Sequence, residues 1–408
     1  MAEKNLFINL MRTKKKIALF GMGGLYWIGG VQYITNIIHA LNAWTEGPEF
    51  EIHLIKNADQ HFVELTDLKN VTIVFHNLNE FFPPWSFTNR VQWFLERKLL
   101  KRLVPRMENH FLKEKFDFVF PVPLSGRKGQ LNSAAWIADF QYHHYPKGAS
   151  KEATDAAFGE ISFIANHAHK IVLSSKACET DCNTIFPVTS GRTYAMPFTV
   201  FINEKIFENN CFDAVIQKYR VPKDFLMVSN SFCPTKNHKT LFRALGILRK
   251  QGLVINLLCT GNIVDWRNLH FANESLLDIS ENQIRDQVHL LGIIPRQDQL
   301  LLYRMSKAIV QPSVNEGWST SVEEAKALGK NLIVSDIDVH KEQCPDKRFM
   351  FSATNAEDLA SKIKLLWEQE GHKVFPESAA ERLAFDNYKK SVIRFAERFN
   401  EIMEAKNN

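Results

Sequence analysis

Along the chain, short apolar runs alternate with longer stretches in which apolar residues recur at helical spacing. That alternation is the mark of parallel sheets covered by helices. In the first half the pattern predicts strands at 17–20, 51–55, 71–75, 116–120, 134–138 and 171–174. After the first of them, Val31, Ile34, Ile38 and Leu41 fall on one face of a helix. The alternation lapses at 192–207, in a stretch that includes Arg192 and Pro197 and turns aromatic-rich. It then restarts, with strands at 225–228, 254–260, 288–291, 308–311, 332–335 and 349–351. Helices are expected near 238–250, 296–306, 320–328 and 356–368. A last helical stretch, 385–405, is placed to pack back on the first half. The domains expected are 1–195, 196–384 and a returning helix at 385–408.

A chain of 408 residues is too long for one ordinary core, which agrees with two domains. An apolar fraction of 45% and a charged fraction of 23% exclude a disordered or fibrous chain. The net charge of +5 is too weak a bias to argue for nucleic acid. Six cysteines are scattered without a CxxC pair, so no zinc site is expected and the thiols read as free in a reducing cytoplasm. Lys14, Lys15 and Lys16 before the apolar run 17–20 resemble a signal peptide, but Gly21, Gly23 and Gly24 break the run and no cleavage site follows. No apolar stretch reaches the roughly 18 residues of a spanning helix. The expectation is a soluble cytoplasmic protein that touches membranes without crossing them. Its candidate contact is the basic stretch 89–106, where Lys98, Lys101 and Arg102 are the membrane-facing residues expected.

The richest segment runs from Pro312 through Glu316, Gly317, Ser319, Thr320, Ser321 and Glu324 to Ala325. It reads as a strand end, a loop carrying a carboxylate, and a helix start. Thr320 and Glu323 have capping-box spacing, with Thr320 as N-cap; Glu323 then has a structural task and Glu324 is left to face the site. Unpaired N–H groups and the helix dipole at 319–322 suit a diphosphate. Glu316 is placed to accept hydrogen bonds from sugar hydroxyls and Glu324 from a ribose. After the strand at 225–228, Lys236 opens a helix where it could neutralise a leaving diphosphate; neighbouring His238 reads as an ordinary helix-start residue.

Glu316 and Glu324, with seven residues between them, and the surrounding Pro-Ser, Glu-Gly, Glu-Ala and Gly329 pattern resemble the retaining glycosyltransferases of family 4, which have the GT-B fold. The resemblance implies an α/β fold of two Rossmann-like domains facing across a cleft. It implies a nucleotide-diphosphate sugar as donor, a glycan or lipid-linked acceptor on the first-domain side, and a place in cell-surface polysaccharide or lipopolysaccharide synthesis. No cofactor or metal is expected, because lysine and helix N-termini replace the cation; Asp336 and Asp338 are therefore not read as a metal-binding Asp-x-Asp. Gly29 and Gly30 match a glycine pair that lets backbone approach donor and acceptor. Asp139 matches an acidic catalytic position, and His143 and His144 line the acceptor side. Backbone around Gly292 and Ile293 would read the base. One departure stands out: the family has an arginine where this chain has Ser231, so Lys236 acts alone with helix dipoles, or Lys239 or Arg243 substitutes. The alternatives are a sugar-nucleotide epimerase of the same fold and a non-catalytic partner subunit.

Overall fold

The computed structural model describes residues 13–24, 27–62, 65–81, 105–122, 130–145, 150–208, 211–263, 271–344, 346–370 and 376–406. Lys98, Lys101 and Arg102 lie outside the described residues. The chain divides into two units. One holds residues 1–138, 160–201 and 391–408; the other holds 139–159 and 202–390.

In the first unit, β1 (Lys14–Phe20), β2 (Glu49–Lys56), β3 (Val71–Asn77) and β4 (Phe118–Phe120) form a parallel sheet in the order β3-β2-β1-β4. A second parallel sheet orders β5 (Ala135–Ile137), β6 (Ile171–Leu173) and β7 (Thr193–Ala195). An isolated parallel bridge, Val119 to Ser133, joins the two sheets. The sequence pattern anticipates every one of these strands except β7, whose three residues are too few to show a period. The helix Ile28–Ala43 buries Ile34, Ile38 and Leu41 as expected, while Val31 is half-buried.

The unit also holds the end of the last helix, Ser378–Glu404. Phe399 meets Phe118 and Phe120 edge-on, with ring centroids 5.7 and 5.6 Å apart. Lys170, 0% exposed, caps that helix by donating to the carbonyls of Ile402 (3.1 Å) and Met403 (3.4 Å). Burial lowers its pKa to about 8.

In the second unit, β8 (Phe225–Ser229), β9 (Asn256–Thr260), β10 (Val288–Gly292), β11 (Ala308–Gln311), β12 (Asn331–Ser335) and β13 (Met350–Phe351) form one sheet, ordered β10-β9-β8-β11-β12-β13 and parallel throughout. All six strands match the sequence pattern. Leu226, Val228, Leu257, Val310 and Ile333 bury one face of the sheet together with Leu241, Leu245 and Ile363 of the flanking helices. Strands run outward from β8 in one direction and from β11 in the other. Parallel α/β sheets bind ligands outside the carboxyl ends of the strands at such a switch point. No described helix is long and apolar enough to cross a membrane.

Candidate functional site

Two loops leave the second sheet at its switch point, one after β8 and one after β11, and backbone hydrogen bonds stitch them together. Val314 donates its N–H to Thr235 O at 2.9 Å. Asn237, in the left-handed region at φ 53°, donates through Nδ2 to Pro312 O (2.9 Å) and Ala353 O (2.7 Å). Beneath them, Asn230 and Gln311 exchange amide hydrogen bonds of 2.9 and 3.2 Å, tying the ends of β8 and β11. Gly261, at φ +123°, lets the β9 end pass so close that a Cβ there would lie 2.3 Å from Asn230 O.

Lys236 and Glu316 meet on this frame. Lys236 Nζ donates to Glu316 Oε1 at 2.6 Å, and Gln311 Nε2 and Ser313 Oγ donate to the same oxygen at 2.7 Å each. None of these bonds falls on Oε2. The Glu316 side chain is 6% exposed and that of Lys236 25%. Burial works against both charges. Even so, the Lys236 ammonium holds the Glu316 carboxyl below the usual carboxylate range, and Glu316 raises the Lys236 ammonium above its own. Lys236 has three N–H donors and spends one of them on Glu316. Asp139, whose Oδ1 accepts the Gln141 N–H at 3.0 Å, adds to the field that favours the lysine charge.

Behind Glu316 lies His340, 0% exposed. Its Nδ1 is 3.1 Å from the Ser335 carbonyl oxygen and 2.9 Å from Ser335 Oγ, and that hydroxyl in turn donates to Ser313 O at 2.5 Å. A carbonyl can only accept, so Nδ1 carries the ring proton and Nε2 is left bare. Burial lowers the imidazole pKa to about 4, against an upward pull from Glu316.

The helix Thr320–Ala327 differs in two respects from the capping-box expectation. Thr320 is its first helical residue, and Ser319 is the N-cap, without a side-chain cap bond. Gln343 takes over the capping: its side chain accepts from the Ser319 N–H (3.3 Å) and donates to Ser319 O (2.8 Å). Glu323 consequently does not fold back. Its Oε1 accepts from Lys326 (2.8 Å) and Gln343 (3.0 Å), and its Oε2 from Tyr388 (2.9 Å). Nor is Glu324 left unoccupied. It is 1% exposed, with one oxygen on the Arg296 guanidinium and the other 3.1 Å from Gln299 Nε2. A carboxylate so deeply buried would be costly unpaired, and the start of the helix Arg296–Met305 supplies the partners.

The first backbone bond into the helix Thr320–Ala327 runs from Glu323 N–H to Ser319 O (3.2 Å). The N–H groups of Thr320, Ser321 and Val322 thus precede the intrahelical ladder. Ser321 Oγ is committed to Ser229 O at 2.8 Å, and Gly317 and Ser319 are buried. At the end of β10, Gly292 adopts φ +69° with open space where a side chain would be, and Ile293 is 64% exposed.

Of the other expected site residues, His143 and His144 are exposed on the short helix Gln141–His144. Lys239 faces Asp278 at 3.7 Å. His238 is fully buried, stacked on Phe232 with centroids 4.0 Å apart, and burial lowers its pKa to about 3. Asp336 accepts the Ala353 N–H at 3.0 Å and Asp338 pairs with Lys341 at 2.9 Å. Among the described residues no three His, Cys, Asp or Glu side chains gather as a metal site. In the first unit, Gly30 has a packing reason: its Cβ would lie 2.8 Å from Gly23 N.

Gln311, Ser313, Arg296, Gln299 and His340 carried no site role in the sequence pattern. A glutamine closing the otherwise apolar strand Ala308–Gln311 was the visible signal for the first; the others come together only in space.

Residues 213–390 match the model of the family described as glycosyl transferases group 1. A curated relative is the N,N'-diacetylbacillosaminyl-diphospho-undecaprenol alpha-1,3-N-acetylgalactosaminyltransferase of Campylobacter jejuni. It is 40% identical over 85 residues, which is 20% of this chain and 22% of that protein, so the likeness spans about a fifth of either. Among solved structures, Anabaena Alr3699/HepE in complex with UDP and glucose superposes with a TM-score of 0.67 at 13% identity, over 96% of this chain and 100% of that one. The sucrose-phosphate synthase of Thermosynechococcus elongatus does so with a TM-score of 0.60 at 16% identity, over 95% and 96%. At such identities the likeness concerns the fold, which is α/β with parallel sheets and of the GT-B type.

Proposed function

We propose that this chain is a retaining glycosyltransferase. In this reading it moves a sugar from a nucleotide-diphosphate sugar to a glycan or lipid-linked acceptor. The observation that carries the proposal is the pairing of Lys236 with Glu316 at the switch point of the second sheet, beside the N–H groups that open the helix Thr320–Ala327. The group 1 match over the same residues and the UDP and glucose named for Alr3699/HepE support it. The galactosaminyltransferase relative, named for a diphospho-undecaprenol substrate, favours a lipid-linked acceptor.

In this reading the donor diphosphate lies against the N–H groups of residues 320–322 and takes the remaining donors of Lys236. Glu316, held through Oε1, offers Oε2 to hydroxyls of the transferred sugar. Glu324, oriented by Arg296 and Gln299, accepts from the ribose. As the bond from the anomeric carbon to the phosphate oxygen breaks, charge grows on the diphosphate and Lys236 stabilises it. The acceptor hydroxyl attacks from the same face and its proton passes to the departing phosphate, so no protein base is required. Calorimetric titration with UDP, GDP and their sugar conjugates, followed by an assay for slow donor hydrolysis, tests the proposal. Binding of at least one nucleotide in the micromolar range with measurable hydrolysis is expected; a chain that binds none of them overturns it.

A further inference from the structure

The first unit has a switch point of its own, between β1 and β4, and the loop leaving β1 there ends in an exposed aromatic. Trp27 is 46% exposed. One face of its indole stacks on Trp136, with centroids 5.7 Å apart and planes within 12°, and Trp136 stacks in turn on Tyr33 at 3.9 Å and 15°. Trp136 is locked by its own hydrogen bond, Nε1 to Ser174 Oγ at 3.1 Å. The Trp27 backbone is equally fixed. Its N–H donates to Gly24 O (3.2 Å), and its carbonyl accepts from Gly24 (3.3 Å) and Gly30 (3.3 Å). A large apolar ring held this rigidly and nearly half exposed is costly to expose and pre-organised to bind.

A carboxylate lies against the same loop, at Gly24. Asp59 Oδ2 lies 2.5 Å from where a Cβ on Gly24 would be, and Gly24 is the backbone partner of Trp27. Asp59 is exposed. An exposed aromatic, with a carboxylate against the backbone partner of that aromatic, offers the two kinds of contact a pyranose makes. The ring C–H groups carry slight positive charge and lie on the electron-rich indole face, while adjacent hydroxyls donate to the carboxylate. A lipid chain would have no use for the acid, and a phosphate would be repelled by it.

We infer that Trp27 and Asp59 form a saccharide-binding platform that holds a pyranose ring of the acceptor. Its assignment to the acceptor rests on the transferase reading above; the site itself does not. The test uses the full chain with methyl N-acetyl-α-D-galactosaminide and methyl α-D-glucoside at millimolar concentrations, read by saturation-transfer NMR, alongside calorimetry with UDP. Wild type should saturate the ring C–H protons of at least one glycoside. Trp27→Ala should reduce that signal at least fivefold, Trp27→Phe should keep part of it, and Asp59→Asn should reduce it about threefold, with UDP affinity unchanged in all three. Retained UDP binding and an unchanged thermal midpoint establish that a variant is folded. No glycoside signal in wild type, or an equal one in Trp27→Ala, overturns the platform. Loss of nucleotide binding in wild type sinks the transferase reading instead and leaves the saccharide result to stand by itself.

Discussion

At the scale of single residues, Lys236 and Glu316 answer different questions although they touch. Glu316→Gln keeps the shape and the contacts to Gln311 and Ser313 while removing the charge that, in the proposed reading, meets the sugar. UDP affinity should stay within about threefold, while donor hydrolysis falls by two orders of magnitude or more, in line with a contact made chiefly in the transition state. Lys236→Ala should instead weaken UDP by about 1.5–3 kcal/mol, the worth of a hydrogen bond to a charged group. Calorimetry and a hydrolysis assay on the two variants separate these outcomes, and equal loss of UDP binding in both would place Glu316 on the diphosphate. Glu323 makes a third case. Two side-chain donors share its Oε1 and Tyr388 holds its Oε2, so Glu323→Ala should lower stability by about 2–3 kcal/mol with little effect on UDP.

At the scale of elements, Glu324 joins the helix Thr320–Ala327 to the helix Arg296–Met305 through Arg296 and Gln299. Glu324→Ala leaves the Arg296 guanidinium, with its side chain 21% exposed, without that carboxylate. Both stability and UDP affinity should therefore fall. Adding Arg296→Ala should recover part of the stability and none of the affinity, a non-additivity that a double-mutant cycle measures. Lys170 ties another element down, and its pKa gives the sign of a pH effect. The folded value is near 8 and the unfolded one near 10.4, so between them the unfolded chain holds more protons. This lysine's contribution to stability therefore rises from pH 8 to about 10, by at most about 1.4 kcal/mol per pH unit. Denaturant titrations across that range should lose this upward component in Lys170→Met. The same elements show what was legible in the sequence. Short apolar runs such as the one ending in Gln311, and the 3.6-residue period of the helix His238–Lys250, give most strands and several helices almost to their ends, while the helices Lys151–His167, Lys176–Ile185 and Phe271–Glu281 are not among those expected. The three-residue β7 has no period to read. Glu316 and Lys236 stood out as charges at strand–helix turns, but their pairing lay 80 residues apart in the chain. The cap differs from the expectation because the group that accepts the Ser319 N–H, the Gln343 side chain, comes from another helix.

At the scale of the whole molecule, charge governs two further outcomes. If Lys236 neutralises the diphosphate as proposed, hydrolysis and transfer should survive EDTA; loss on chelation, restored by manganese or magnesium, would return Asp336 and Asp338 to consideration. The second outcome concerns where the molecule works. From residue 97 to 106, Arg97, Lys98, Lys101, Arg102 and Arg106 put five positive charges into ten residues, and Glu96 is the one acid in the stretch 89–106. Val91, Phe94, Leu95, Leu99 and Leu103 recur there at helical spacing. In the membrane reading each basic residue of this stretch is worth about 1 kcal/mol near an anionic bilayer. The lipid-linked acceptor of the proposed reading would hold the chain at that surface. Sedimentation with liposomes should therefore show binding to anionic but not neutral vesicles, weakened as ionic strength shortens the reach of the field. Changing Lys98, Lys101 and Arg102 together to Ser removes about 3 kcal/mol, or roughly a hundredfold in apparent affinity. UDP binding should not change, because the proposed nucleotide site uses none of these three residues. Equal indifference to both vesicle types would leave the basic stretch a merely solvated surface and take away the argument for a membrane address.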